Sequence, residues 1–158
     1  LYGIDFSAEM LRFARKYSGK FSFAVNLLVA DIGHLPFPDE VFDLAISVAT
    51  YHHVKGKRER QAALHELRRV LKPGGEAFVT VWNRGQPRFW FSGQDVAVPW
   101  RVKGKTLHRY YYLFTYPELE GLVNEAGFSV LKSFPESSYC FPFKFFSRNI
   151  CLLVKKDD

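Results

Sequence analysis

Phe42-Asp43-Leu44-Ala45-Ile46-Ser47-Val48-Ala49-Thr50-Tyr51-His52-His53 opens as a nearly unbroken apolar run and ends in small, aromatic and imidazole side chains. Such a run, bounded by polar residues, suits a strand buried on both faces, hence a central parallel strand. Open α/β sheets bind ligands just beyond the carboxyl ends of such strands. Ser47 to His53 are therefore expected where binding and chemistry occur.

Moving back toward the start, Leu1-Tyr2-Gly3-Ile4-Asp5 reads as a short buried strand closed by a carboxylate. Ser7 offers an N-cap, and Met10, Phe13, Ala14 and Tyr17 recur at helical spacing until Ser18-Gly19. Residues 25–30 form a second apolar run, again closed by a carboxylate, Asp31, and Leu35-Pro36-Phe37-Pro38-Asp39 is a loop. Moving forward, residues 54–57 connect to a helix over 59–71 with the stripe Ala63, Leu64, Leu67, Val70 and Leu71. Lys72-Pro73-Gly74-Gly75 ends it, and residues 77–82 form the next strand. Strand–helix–strand–loop–strand–helix–strand predicts a parallel, doubly wound α/β sheet.

Residues 84–114 break this rhythm. They carry Arg84, Arg88, Arg101, Lys103, Lys105 and Arg109 among Phe89, Trp90, Phe91, Trp100 and Tyr110 to Tyr112. A stretch this long without clear periodicity is usually functional. Regularity returns with Thr115 and Glu118, spaced as a capping box, then the stripe Leu119, Leu122, Val123 and Ala126 ending at Gly127. Residues 128–134 and 149–154 read as two closing strands.

At 158 residues the chain fits one domain, residues 1–158, with 84–114 as a substrate-binding insertion. Its 24% charged and 47% hydrophobic composition excludes a disordered chain, and no apolar run approaches the ~20 residues of a membrane span. Cys140 and Cys151 are too few and isolated for a disulfide framework or a Cys-based metal site, so no metal is expected and the cytoplasm is the default compartment. A net charge of +6 with 17% aromatic residues fits a nucleic-acid partner, whose phosphates attract cations and whose bases stack on rings.

Two strands ending in Asp are the first chemical signal. In a dinucleotide-type fold an acid at the end of the second strand accepts hydrogen bonds from ribose hydroxyls, about 20 residues after a Gly-rich turn. If Asp5 is that acid, a first strand and its Gly-rich turn belong upstream of Leu1, and the fold as given is N-terminally incomplete.

The stretches Gly3-Ile4-Asp5-Phe6-Ser7, Ala30-Asp31 with Leu35-Pro36-Phe37, Phe42 to His53, and Arg69 to Gly75 together resemble class I S-adenosylmethionine-dependent methyltransferases. The resemblance implies a Rossmann-like methyltransferase fold: a seven-stranded, mostly parallel sheet with an antiparallel last strand. It also implies S-adenosyl-L-methionine as cofactor. Asp5 and the adjoining Phe6 would serve the ribose, Asp31 and Ile32 the adenine, and Ser47, Val48 and Ala49 the methionine end.

Gln94 to Trp100, Arg109 to Phe114, the paired His52-His53 and Val81-Trp82 are similar to the tRNA wobble-uridine carboxymethyl methyltransferases. Tyr112 stands where that family commonly has His, and Asn83 where Ala is usual. The similarity implies tRNA as partner, 5-carboxymethyluridine as acceptor, and a small zinc-binding activator protein. A carboxymethyl group, with a pKa of about 4, is already an anion at neutral pH and needs no general base. Arg109 is then the expected cation for the carboxylate, His53 and Tyr110 the donors beside it, and Trp100 a wall or stacking ring. His52, Lys55, Lys57, Arg58, Arg101 and Lys105 are expected to face substrate or RNA, with Arg60 in the same basic run.

Two other readings remain open at this stage. One is a small-molecule methyltransferase of the same fold. The other is a non-catalytic binding module that lacks the Gly-rich loop.

Overall fold

The computed structural model describes residues 1–102, 104–141 and 143–157. Lys103, one of the insertion cations above, lies outside the described residues. Strand β1 (Tyr2–Asp5) pairs in parallel with β2 (Asn26–Val29), with Asp5 opposite Val29. Helix α1 (Ala8–Lys20) joins them, and Ser7 is its N-cap, accepting from Met10 N at 3.3 Å. Strand β3 (Phe42–Val48) pairs in parallel with β4 (Leu71–Trp82) through the helix α2 (Lys57–Val70).

Strands β5 (Asp95–Val102) and β6 (Lys105–Tyr112) form an antiparallel hairpin. After helix α3 (Tyr116–Glu125) come β7 (Phe128–Pro135) and β8 (Asn149–Lys156). The larger sheet has the order β3-β4-β8-β7, with β8 antiparallel to both neighbours. The expected antiparallel last strand is therefore present.

Alternation fixes the core. Ala77, Val79 and Val81 of β4 are buried while Phe78 and Thr80 are only half-buried, so one face of the sheet is covered more fully than the other. Ala63, Leu64 and Leu67 of α2 join Leu119, Leu122 and Val123 of α3 in one buried cluster with these residues and with Ile150, Leu152 and Val154 of β8. Helical and strand periodicities meet there, and this contact supplies most of the apolar burial.

Two expectations need correction. The opening run is a strand, but it is not buried on both faces: it forms one edge of the four-stranded sheet, and Leu44, Ile46 and Val48 are 70%, 76% and 61% exposed. Only the alternate side chains, such as Ala45, pack toward the core. Residues 84–114 are not irregular either, because most of them fold as the β5–β6 hairpin. Gly104 turns it at φ +78°, a conformation that suits glycine.

Near their starts, β1 and β3 are tied by rings: Tyr2 meets Phe42 at 5.8 Å and Phe37 at 5.3 Å. Both strands therefore set out from the same edge of the fold. The loop between β2 and β3 is pinned by one side chain at the end of α2. Arg69 donates to Leu35 O (3.0 Å), Phe37 O (2.7 Å), Asp39 Oδ1 (2.8 Å) and Glu66 Oε1 (2.7 Å). Glu66 Oε2 accepts from Leu35 N at 2.8 Å. Arg69 is therefore more than a charge meeting the helix dipole. Arg69→Ala is expected to cost about 2–3 kcal/mol, since several charge-assisted bonds to part-buried groups are lost together. A denaturant midpoint lowered at unchanged slope would show it. The hydrogen bond from Arg69 also holds the Glu66 carboxyl below its ordinary range. That contribution is present above the unfolded carboxyl value and is lost as the pH falls through the lower folded one.

Candidate active site

The carboxyl ends of β1 and β2 carry the two acids. Asp5 Oδ1 accepts from Ser7 N at 2.8 Å, closing the turn into α1. Among the described residues its second oxygen accepts no protein hydrogen bond, so it suits a ribose hydroxyl. Asp31 is exposed and likewise spends Oδ1 on Gly33 N at 2.7 Å. Phe6 is exposed, whereas Ile32 packs against the main core. These groups fit a nucleoside on their chemistry: two acceptors at adjacent parallel strand ends, with an exposed ring beside the first.

At the end of β3 the backbone turns sharply. Ala49 adopts φ +59°, a left-handed conformation that costs an L-residue roughly 1–2 kcal/mol. Its N–H donates to Thr80 O and is also 3.1 Å from Thr80 Oγ1. This anchor on β4 ends the strand and starts the 3₁₀ turn Tyr51–His53. Ser47 is half-buried on β3, and Val48 is exposed one residue before the turn.

The adjacent histidines divide. His52 is 1% exposed, its Nδ1 accepts from Trp82 N at 3.1 Å, and its ring lies 5.2 Å from Tyr111. Burial, then the charge of His53, pushes its pKa down to about 3, so it stays neutral. The expectation that His52 meets substrate is corrected: its acceptor is spent on Trp82 N and its ring is buried among His53, Trp82 and Tyr111. His53 is exposed, and its Nδ1 lies 3.0 Å from Tyr110 O. A carbonyl can only accept, so Nδ1 carries the proton. In the neutral ring Nε2 then presents a lone pair, and in the charged ring a donor.

The hairpin reaches this point through Tyr111. Its ring is 4.4 Å from His53 and stacks on Trp82 at 4.0 Å. Register decides what else comes along. Opposite pairs such as Arg109–Val98 and Trp100–Leu107 share a face, so Lys105, Arg109, Trp100 and Tyr111 lie on one side of the hairpin. Arg109 sits over the Trp100 ring at 4.5 Å. Tyr110 and Arg101 fall on the other side. The Tyr110 phenol donates to Asp95, and burial raises its pKa to about 12. Tyr110 is thus corrected from a substrate donor to a positioning residue, acting through its carbonyl on His53. Lys55, Lys57 and Arg58 are exposed beyond the 3₁₀ turn.

Arg60, by contrast, is 5% exposed. It donates to Val54 O at 3.1 Å and lies 3.6 Å above the Tyr112 ring. Its spacing of three, four and seven residues from Ala63, Leu64 and Leu67 puts it on the apolar stripe, and that signal was readable in the sequence. Tyr112 donates to Glu118, which tethers the hairpin to α3.

The family described as a methyltransferase domain matches residues 1–79, half of the chain. The chain belongs to this family. Membership in this family implies S-adenosyl-L-methionine as cofactor. It is 34% identical to the tRNA (carboxymethyluridine(34)-5-O)-methyltransferase of Schizosaccharomyces pombe, covering 67% of this chain and 58% of that one. It is 33% identical to a ubiquinone/menaquinone biosynthesis C-methyltransferase of Geotalea daltonii, covering 89% and 52%. The chain therefore spans little more than half the length of these two relatives. Its fold matches an S-adenosylmethionine-dependent methyltransferase of Clostridium acetobutylicum with a TM-score of 0.80 at 15% identity, covering 99% of this chain and 75% of that one. The names of these relatives do not mention a zinc-binding activator. No helix among the described residues is long and apolar enough to cross a membrane.

Proposed function

We propose that this domain transfers the cofactor's methyl group to the carboxylate of 5-carboxymethyluridine at the wobble position of tRNA. The observation that carries the reading is the cationic, aromatic face of the β5–β6 hairpin, held against His53 through Tyr111 and the Tyr110 carbonyl. The Schizosaccharomyces pombe relative supports the same acceptor.

Bound S-adenosylmethionine supplies an electrophilic methyl group on a positive sulfur. A carboxylate acceptor arrives ionised, so the chain's residues mainly hold and align it. Arg109 lies on the correct face to neutralise it, and Trp100 keeps that guanidinium in place. His53 keeps Nδ1 on the Tyr110 carbonyl, which leaves Nε2 for the acceptor. The exposed Lys55, Lys57 and Arg58 can take flanking phosphates without reading sequence.

The Geotalea daltonii relative favours a second reading, methylation at carbon, in which neutral His53 Nε2 would serve as general base. One experiment separates them. The protein is incubated with methyl-labelled cofactor and bulk tRNA, and the product is treated with ribonuclease or with mild alkali. The tRNA reading expects label that becomes acid-soluble with ribonuclease and is released as methanol by alkali, the behaviour of an ester. Absence of label from the tRNA, or label in it that survives alkali, would overturn it.

A further inference from the structure

The aromatic stack at His53 does not end with Tyr111 and Trp82. The Arg88 guanidinium lies 4.7 Å from the Trp82 ring and 4.4 Å from Phe89. Beyond it lies a wide, shallow cavity of about 600 Å³, open to solvent and lined in part by Arg88, Glu136, Tyr139, Phe146 and Arg148.

Its charges do not balance. Among the described residues neither Arg88 nor Arg148 has a carboxylate partner. Glu136 is committed to backbone, accepting from Arg148 N at 3.0 Å and Asn149 N at 2.7 Å. Both side chains line the same cavity, and burial first, then the charge of Arg148, lowers the pKa of Arg88. Two cations lining one site without a carboxylate partner repel each other, and an anion between them would relieve that repulsion.

The backbone beneath them is fixed. Arg148 O accepts from Asn83 N at 3.0 Å and Gln86 Nε2 at 3.0 Å. Asn83 Nδ2 donates to Phe145 O and Ser147 O, both at 2.8 Å. Gly85 approaches Phe145 O so closely that a Cβ there would sit 1.8 Å from it. The cations thus project from a rigid base, while flat rings stand exposed around them. Trp90 lies 6.1 Å and Phe141 6.2 Å from Phe146, and all three are more than two-fifths exposed.

We infer that this cavity is a second nucleic-acid subsite, which takes a nucleotide of single-stranded RNA next to the one presented to His53. The phosphate would lie between Arg88 and Arg148, and a base would stack on Phe146 or Trp90. Exposed rings beside paired cations are what an unstacked strand requires, since every base has a face to stack and every linkage a charge. The inference rests on the RNA reading above, and it extends the binding path from the catalytic end of β3 across β4 to the β7–β8 loop.

The test uses a fluorescent 17-nucleotide anticodon stem-loop RNA, titrated at several salt concentrations. Arg148→Gln is the decisive variant, because that side chain is exposed. Phe146→Ser is the second, and thermal melts of both check the fold. Arg148→Gln is expected to weaken binding severalfold to tenfold and to reduce the slope of log affinity on log salt by about 1. Phe146→Ser is expected to weaken it at least fivefold with the slope unchanged. Both should bind S-adenosylhomocysteine as the wild type does. Unchanged RNA affinity and slope in both variants would overturn the subsite, even if tRNA is methylated normally. Wild-type protein that binds no RNA would overturn it too, and would leave the patch to a protein partner. RNA binding that responds as expected, without methyl transfer to tRNA, would uphold the subsite and refute the reaction proposed above.

Discussion

Asp5→Asn is expected to weaken S-adenosylhomocysteine binding about thirty- to hundredfold while leaving the fold intact. Asn keeps the oxygen that accepts from Ser7 N, so the turn into α1 survives. It loses the charge and replaces one acceptor oxygen by a donor. A ribose diol donating to a carboxylate makes charge-assisted bonds, and losing them costs about 2–3 kcal/mol, which is the stated factor. Isothermal titration of both proteins would measure it. Equal affinities would remove Asp5 from the ribose and leave its carboxylate as a turn acceptor alone.

The second large effect concerns stability. Lowering the pH from 7 to 5 is expected to remove about 2 kcal/mol through His52 alone. The sign follows from burial. The folded ring resists protonation down to about pH 3, whereas the unfolded ring takes a proton below about 6.5. The unfolded state therefore binds more protons throughout that window, and stability is present above 6.5 and lost as the pH falls. His52→Asn can still offer an acceptor to Trp82 N but cannot titrate. Its denaturant midpoint should lie below wild type at pH 7 and move far less between pH 7 and 5. Parallel loss in both proteins would show that another group controls this range. The Glu66 contribution is lost only below the unfolded carboxyl value of 4.5, so it stays outside the interval from pH 7 to 5.

The parts of this fold legible in the sequence were those set by local pattern. Strands that end in Asp5 and Asp31, the Ser7 cap, the stripe through Ala63, Leu64 and Leu67, and the Thr115–Glu118 pair each need only a few neighbouring residues to be read. The hairpin was hidden for a physical reason. Val96, Val98 and Trp100 alternate with polar or small residues, as do Leu107, Arg109 and Tyr111, but the density of cations and rings resembles a binding loop just as well. His52 and His53 show a harder limit. They are adjacent in one tight turn, and only Trp82 and Tyr111, brought from other strands, bury one and leave the other free. The same applies to Tyr110, whose phenol is claimed by Asp95 across the hairpin. Site chemistry was readable by residue type, whereas the division of labour within it depended on tertiary contacts.

The exposed side of β3 has a consequence for handling the protein. Leu44, Ile46 and Val48 lie on the outermost strand of the larger sheet, where, among the described residues, the backbone has a neighbour on one side only. A seven-residue strand with an apolar exposed face and an unpaired edge is a template on which another strand can add. A net charge of +6 spread over the surface opposes such pairing only weakly at physiological salt.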